Sequence, residues 1–210
     1  MPIAMFGLSI VTAYLIGSFP TSYILTKIFK GIDIRQVGSK SAGATNVLRT
    51  AGKVPAVITL IIDVLKGVLV VTLVTNFFYS FMDSLEYDFY RALLGFIAIC
   101  GHVWPIFLKF RGGKGVATTL GVGIVIAPLP LLPALAIWLV IFLMTDYVSL
   151  ASISALISFP IFACFMNRSL YTIIFGVLIC LLGTYKHKEN IKRLLRREEN
   201  KTVIFKSFKR

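Results

Sequence analysis

The feature that most constrains this chain is a succession of apolar stretches too long and too sparsely charged for the interior of a soluble domain. Residues 3–28, 54–78, 91–108, 116–127, 131–145, 147–165 and 170–185 are each predominantly apolar. A hydrocarbon core about 30 Å thick takes roughly 20 such residues as a helix. Helices suit lipid because each N–H and C=O then finds its partner within the segment. The pattern predicts an all-α integral membrane protein of about seven transmembrane helices. Residues 116–127 are short for a crossing, and Pro128-Leu129-Pro130-Leu131-Leu132-Pro133 predicts a break before the next helix. Hydrophobic residues make up 57% of the chain and charged ones 15%, against roughly 45–50% and 25% in soluble domains. That balance excludes a soluble domain and a disordered chain alike. The first stretch has no charge before Lys27 and no basic segment ahead of it, so an uncleaved span is expected rather than a secretory signal.

The net charge of +13 raises nucleic acid, anionic lipid and anionic substrate as partners, and the placement of the cations decides among them. Lys27, Lys30, Arg35, Lys40, Arg49 and Lys53 fall between the first and second stretches, Lys109, Arg111 and Lys114 between the third and fourth, and ten more from Lys186 to Arg210. With seven crossings, 19 of the 22 cations share one side. Arg91 and Arg168 occupy the other, with Asp83, Glu86 and Asp88. The positive-inside rule then puts the N-terminus outside and the C-terminus in the cytoplasm. Topology accounts for most of the excess charge, so no nucleic-acid partner is expected. Residues 1–185 read as one polytopic transmembrane catalytic domain and 186–210 as a basic cytoplasmic tail whose start belongs to the active site. Cys100, Cys164 and Cys180 form no C-x-x-C pair and only two histidines are present, so no metal site and no cofactor are expected.

Chemistry concentrates in the cationic loops. The first runs Gly38-Ser39-Lys40-Ser41-Ala42-Gly43-Ala44-Thr45-Asn46-Val47-Leu48-Arg49. Gly38 and Gly43 let backbone N–H groups converge on an anion, Ser39, Ser41, Thr45 and Asn46 add side-chain hydrogen bonds, and Arg49 offers a fork of donors for phosphate oxygens. A plain polar connector has little need of such a run. In the second loop Gly112, Gly113 and Gly115 surround Lys114, and an apolar helix beginning with Val116-Ala117-Thr118 follows. Free amides, a positive helix end and an ammonium group together make a phosphate cradle, with Thr118 beside it. It is not a Walker A loop: Leu108 stands where the first glycine belongs, and Gly115 follows the lysine. Phosphate binding without ATP hydrolysis is the expectation.

Asp63 and Lys66 lie three apart within the second stretch, where they can pair on one helical face and orient the site. His102 is expected to make an interhelical hydrogen bond. The tail opens as a basic amphipathic helix on membrane lipid, yet lipid binding does not call for His187 and Asn190. These sit three apart where the last span ends, and can hydrogen-bond a substrate held by the loops.

The stretches Gly38–Arg49, Gly101–Thr118 and His187–Leu195, with Asp63-Val64-Leu65-Lys66-Gly67, resemble the bacterial membrane acyl-phosphate:glycerol-3-phosphate acyltransferases over nearly the whole chain. The resemblance implies transfer of a fatty acyl group from acyl phosphate to the 1-hydroxyl of glycerol 3-phosphate. Lysophosphatidic acid and phosphate result, in the first step of phospholipid synthesis at the cytoplasmic face of the bacterial inner membrane, with no obligate protein partner. It matches Ser39, Arg49, Lys114, His187 and Asn190 to active-site positions, Gly112, Gly113 and Gly115 to a phosphate loop, and Glu199 to a structural glutamate. Lys40 and Arg197 stand where the family usually has glycine. The general base is left open between His187 and a substrate phosphate oxygen. A multi-span transporter of a phosphorylated anion is the alternative, disfavoured because the motifs cluster at one face and no internal repeat pairs them.

Overall fold

In the computed structural model, which describes residues 2–82, 85–166 and 168–202, every apolar stretch is mainly helical. Asp83 and the tail cations Lys206, Lys209 and Arg210, counted above, lie outside the described residues. The first stretch divides into α1 (Pro2–Ser18) and α2 (Thr21–Lys30). Pro20 supplies no N–H at the joint, where Phe19 N bonds Ile16 O (3.3 Å) and the Phe19 carbonyl accepts from Thr21 N (3.0 Å) and Lys66 Nζ (2.6 Å), as a backbone break in lipid requires. A short α3 (Ala44–Ala51) precedes α4 (Lys53–Leu69), which passes through a π segment (Val70–Val74) into α5 (Thr75–Tyr79). Next come α6 (Tyr87–Val103), a 3₁₀ turn (Ile106–Leu108), α7 (Val116–Ile126), α8 (Pro128–Thr145), α9 (Val148–Phe165), α10 (Leu170–Lys186) and α11 (Lys188–Leu195).

The expected proline break is smaller than the sequence suggests. Pro128 and Pro130 occupy the first turn of α8, where N–H groups have no intrahelical partner and their loss costs nothing. The interruption shrinks to Ala127. Among the described residues five helical segments are long and apolar enough to cross a membrane, and six if the bent pair α10–α11 counts as one. At about 1.5 Å per residue, the 11 residues of α7 reach about 16 Å, half the hydrocarbon thickness. Lys114, before α7, bonds to Asn190, and Asp146, after α8, accepts from Thr202 N. So α7 and α8 leave one face and return to it.

Small residues set the packing. A Cβ on Gly67 would strike the Thr118 carbonyl, and one on Gly121 the Val64 carbonyl, so α4 and α7 meet backbone to backbone, as lipid-embedded helices do. The outer faces stay apolar, with Ile3, Leu73, Met144 and Phe165 at least 64% exposed.

Both departures from the family pattern fall at left-handed backbone: Lys40 at φ 57° and Arg197 at φ 60°. Arg197 follows the last turn of α11, with Arg197 N bonded to Leu194 O (3.1 Å) and Glu198 N to Arg193 O (2.8 Å). This is the Schellman arrangement, which favours glycine at that position. Arg197→Gly is expected to stabilise the protein by about 0.5–1 kcal/mol, the left-handed penalty less glycine's larger unfolded entropy. A detergent melting curve shifted upward with activity unchanged is the check; an unchanged or lower midpoint contradicts it.

Candidate functional site

Loop one is built around Asn46. Its side chain, 2% exposed, donates from Nδ2 to the carbonyls of Ile34 (3.3 Å), Val37 (3.0 Å) and Ser41 (3.0 Å), and its Oδ1 accepts from Ser39 N (3.0 Å). Asn46 therefore holds the loop's shape; its amide is spent, and it is not the phosphate donor that the sequence suggested. Gly38 lies against the same Oδ1. Ser39 and Gly38 are exposed, Ser41 and Thr45 half-buried, and Gly43 caps α3 with no side-chain bond. Arg35, clamped by Asp33 (2.7 Å), donates to Leu108 O (3.1 Å), while Ala42 N donates to Gly112 O (3.4 Å). The two loops are thereby joined.

Loop two turns over the end of α6. A side chain on Gly112 would strike the His102 carbonyl and Pro105, and one on Gly113 the His102 ring. These glycines thus serve close packing, and the Gly113 amide already donates to His102 O (3.2 Å). It is not free for an anion. Gly115, at φ 83°, starts α7 with no side-chain cap, which leaves the first-turn amides of α7 beside Lys114. Thr118 is fully buried, its carbonyl against Gly67 and its hydroxyl without a partner among the described residues. It belongs to the α4–α7 contact rather than to the open face of the loop, which corrects its place in the phosphate set.

The third component comes from the chain's end. His187 forms the joint between α10 and α11, which meet at 60°. Its Nδ1 lies 2.7 Å from Gly183 O; as the donor there, it leaves Nε2 as the unprotonated nitrogen. Asn190 is the one residue of α11 that is buried; its Oδ1 accepts from Lys114 Nζ at 2.5 Å. Glu199, returned by the turn at Arg197, accepts from Asn190 Nδ2 (2.7 Å), Ser149 Oγ (3.0 Å) and Arg193 Nε (2.7 Å). Arg49 donates through Nη2 to Asn200 O and Thr202 Oγ1, both at 2.9 Å. Ser149, Asn200 and Thr202 escaped the sequence reading because no motif or charge marks them.

Burial, reinforced by Arg193, Arg49 and Lys186 and opposed by Glu199, pushes the Lys114 ammonium down to about 8. Burial and the neighbouring Lys114 push His187 down to about 4, against the Gly183 bond and Glu199. Burial works to raise Glu199, but the bonds from Arg193, Asn190 and Ser149 outweigh it and hold the carboxyl below its ordinary value. Beneath the loops, Lys66 Nζ meets Asp63 Oδ1 at 2.6 Å, and His102 Nδ1 lies 3.8 Å from the same oxygen. These three line a crevice of about 10 Å³ with Thr21, Ala42 and Gly112, room for one water.

An apolar cavity of about 160 Å³, lined by Phe89, Phe96, Tyr171 and Leu178 among others, opens between the far ends of α6 and α10. Ile99 and Val103 on α6 and Ile179 on α10, all buried, follow its lining residues along those helices.

The family model described as glycerol-3-phosphate acyltransferase matches residues 7–197. The chain is 48% identical to a glycerol-3-phosphate acyltransferase of Endomicrobium trichonymphae over 95% of this chain and 96% of that one. It is 41% identical to one of Desulforamulus reducens, over 91% and 92%. Its fold is similar to the crystal structure of PlsY (YgiH), an integral membrane glycerol 3-phosphate acyltransferase. With the glycerol 3-phosphate form the TM-score is 0.86 at 36% identity, over 98% of this chain and 99% of that one. With the lysophosphatidic acid form it is 0.81 at 37% identity, over 93% and 94%.

Proposed function

The chain belongs to the glycerol-3-phosphate acyltransferase family, and from that premise we propose that it moves a fatty acyl group from acyl phosphate to the 1-hydroxyl of glycerol 3-phosphate. Lysophosphatidic acid and inorganic phosphate are the products. The observation that carries this reading is a closed triangle. Loop one touches loop two through Ala42 and Gly112, loop two touches the tail through Lys114 and Asn190, and the tail touches α3 through Thr202 and Arg49. Two phosphorylated reactants need such a cationic meeting place on one face; membership of the family supports placing it at the bacterial inner membrane, and the concentration of Lys and Arg in these segments supports its cytoplasmic side.

The 1-hydroxyl oxygen attacks the acyl carbonyl carbon, the bond from that carbon to the bridging oxygen breaks, and phosphate departs. Lys114 and the first-turn amides of α7 neutralise the leaving phosphate, while Arg49 and Ser39 hold the acceptor's phosphate. The hydroxyl proton goes to His187 Nε2 or to a phosphate oxygen. With His187 near 4, a phosphate whose second pKa is about 6 is the stronger base at neutral pH, which favours the substrate.

Purified protein in detergent is expected to form lysolipid and release phosphate from acyl phosphate and glycerol 3-phosphate. Acyl-coenzyme A and acyl carrier protein thioesters are expected to give nothing. Binding of both substrates without product would favour the transporter and overturn the proposal.

The pH dependence follows from Lys114. Its ammonium is present below about pH 8 and lost above it, so kcat/KM is expected to fall as pH rises through 8. The limb in kcat should lie higher, because bound phosphate stabilises the cation. In Lys114→Arg the basic limb disappears from the range up to pH 10. A wild-type profile flat to pH 10 contradicts the assignment.

A further inference from the structure

The hydrogen bonds that tie the tail to α3 do not touch substrate in the account above, yet they engage a residue that does. Arg49 is exposed on α3, and a free arginine loses substantial rotamer freedom when a ligand fixes it. Here both Nη2 hydrogens are already committed, to Asn200 O and Thr202 Oγ1 at 2.9 Å, which leaves Nη1 and Nε to point elsewhere. Thr202 is itself buried, 6% exposed, and its N–H donates to Asp146 O (2.8 Å) at the turn between α8 and α9. Three residues earlier, Glu199 is fixed by Asn190, Ser149 and Arg193. The segment from Glu199 to Thr202 is thus anchored at one end to α9 and α11 and at the other to the turn between α8 and α9, and Arg49 leans on its last residue.

We propose that this segment is a strap that orders Arg49 before the acceptor arrives, with Thr202 as the positioning residue for the acceptor's phosphate. The proposal rests on Arg49 being a ligand of that phosphate. Ordering the guanidinium in advance removes part of the entropy loss from the binding step, so the strap acts on affinity and not on the chemical step. The turn at Arg197 serves the strap as well, because it aims Glu199 at its three partners.

The test is steady-state kinetics on Thr202→Val, which keeps shape and backbone bonds but deletes the acceptor oxygen, beside Thr202→Ser, which restores it. Thr202→Val is expected to raise KM for glycerol 3-phosphate roughly threefold to tenfold, the range of one ordinary hydrogen bond. Its kcat, its KM for acyl phosphate and its melting midpoint should stay near those of the parent, and Thr202→Ser should behave as the parent. In an Arg49→Lys background Thr202→Val should add nothing. If Arg49→Lys raises KM for glycerol 3-phosphate but Thr202→Val leaves it unchanged, the strap is overturned. A lowered KM in Thr202→Val overturns it too, since the strap would then hold Arg49 away from its ligand. If Arg49→Lys instead raises KM for acyl phosphate, the acceptor assignment of Arg49 fails and this proposal fails with it.

Discussion

Lys114→Ala is expected to lower kcat/KM by about 10³-fold, at the upper end of what removing one preorganised donor does to a developing anion. The Gly113 amide cannot take its place, being bonded to His102, and Gly112 and Gly113 are fixed by close packing. The loss should appear without unfolding. The ammonium titrates near 8 in the folded protein, against an ordinary 10.5. Its charged form is therefore disfavoured by folding, and stability rises as pH climbs between those values. Removing the charge is expected to leave the melting midpoint at neutral pH unchanged or higher. A variant that is inactive and also melts early would mean that Lys114 holds the fold together, not the leaving group.

Asp63→Ala acts in the opposite way, on stability first. Lys66, 4% exposed, would be left with Phe19 O as its remaining bonded partner among the described residues. Stranding one member of a buried pair costs about 3–5 kcal/mol, enough to leave little folded protein from a marginally stable chain. The damage should also travel. His102 Nδ1 lies 3.8 Å from Asp63, and the ring supports Gly113, so loop two loses its floor. Replacing both partners together, as Asp63→Leu with Lys66→Met, removes the stranded charge and is expected to recover most of the stability but not the activity. Detergent unfolding of the single and double variants, analysed as a cycle, measures this coupling. A single variant as stable as the parent would contradict it.

How much was legible in the sequence follows from the kind of signal each residue carries. Hydropathy and charge placement are local and additive, so the helices, the cationic loops and the Asp63–Lys66 pair could be read directly. The left-handed positions at Lys40 and Arg197 were legible only as departures from a pattern. Asn46 is ambiguous in sequence because an amide beside glycines serves an anion and a loop carbonyl equally well; only the geometry shows three carbonyls around it. The proline run interrupts the helices less than it suggests, because Pro128 and Pro130 fall in the first turn of α8, where no bond would form, although Pro133 lies inside the helix. Thr202 and Ser149 were invisible, since a lone hydroxyl acquires meaning only when a distant segment is folded against it.

Both loops and the tail must face the same compartment for two phosphorylated reactants to meet between them. Single cysteines at Lys40, Lys109 and Glu198, all exposed near the site, and at Glu86 on the opposite side can be placed in a chain with Cys100, Cys164 and Cys180 replaced by alanine. Sealed vesicles of known orientation are then treated with a membrane-impermeant thiol reagent. The first three are expected to react only from the cytoplasmic side and Glu86→Cys only from the other. Labelling of Lys40→Cys and Lys109→Cys from opposite sides would separate the two loops and contradict a shared compartment.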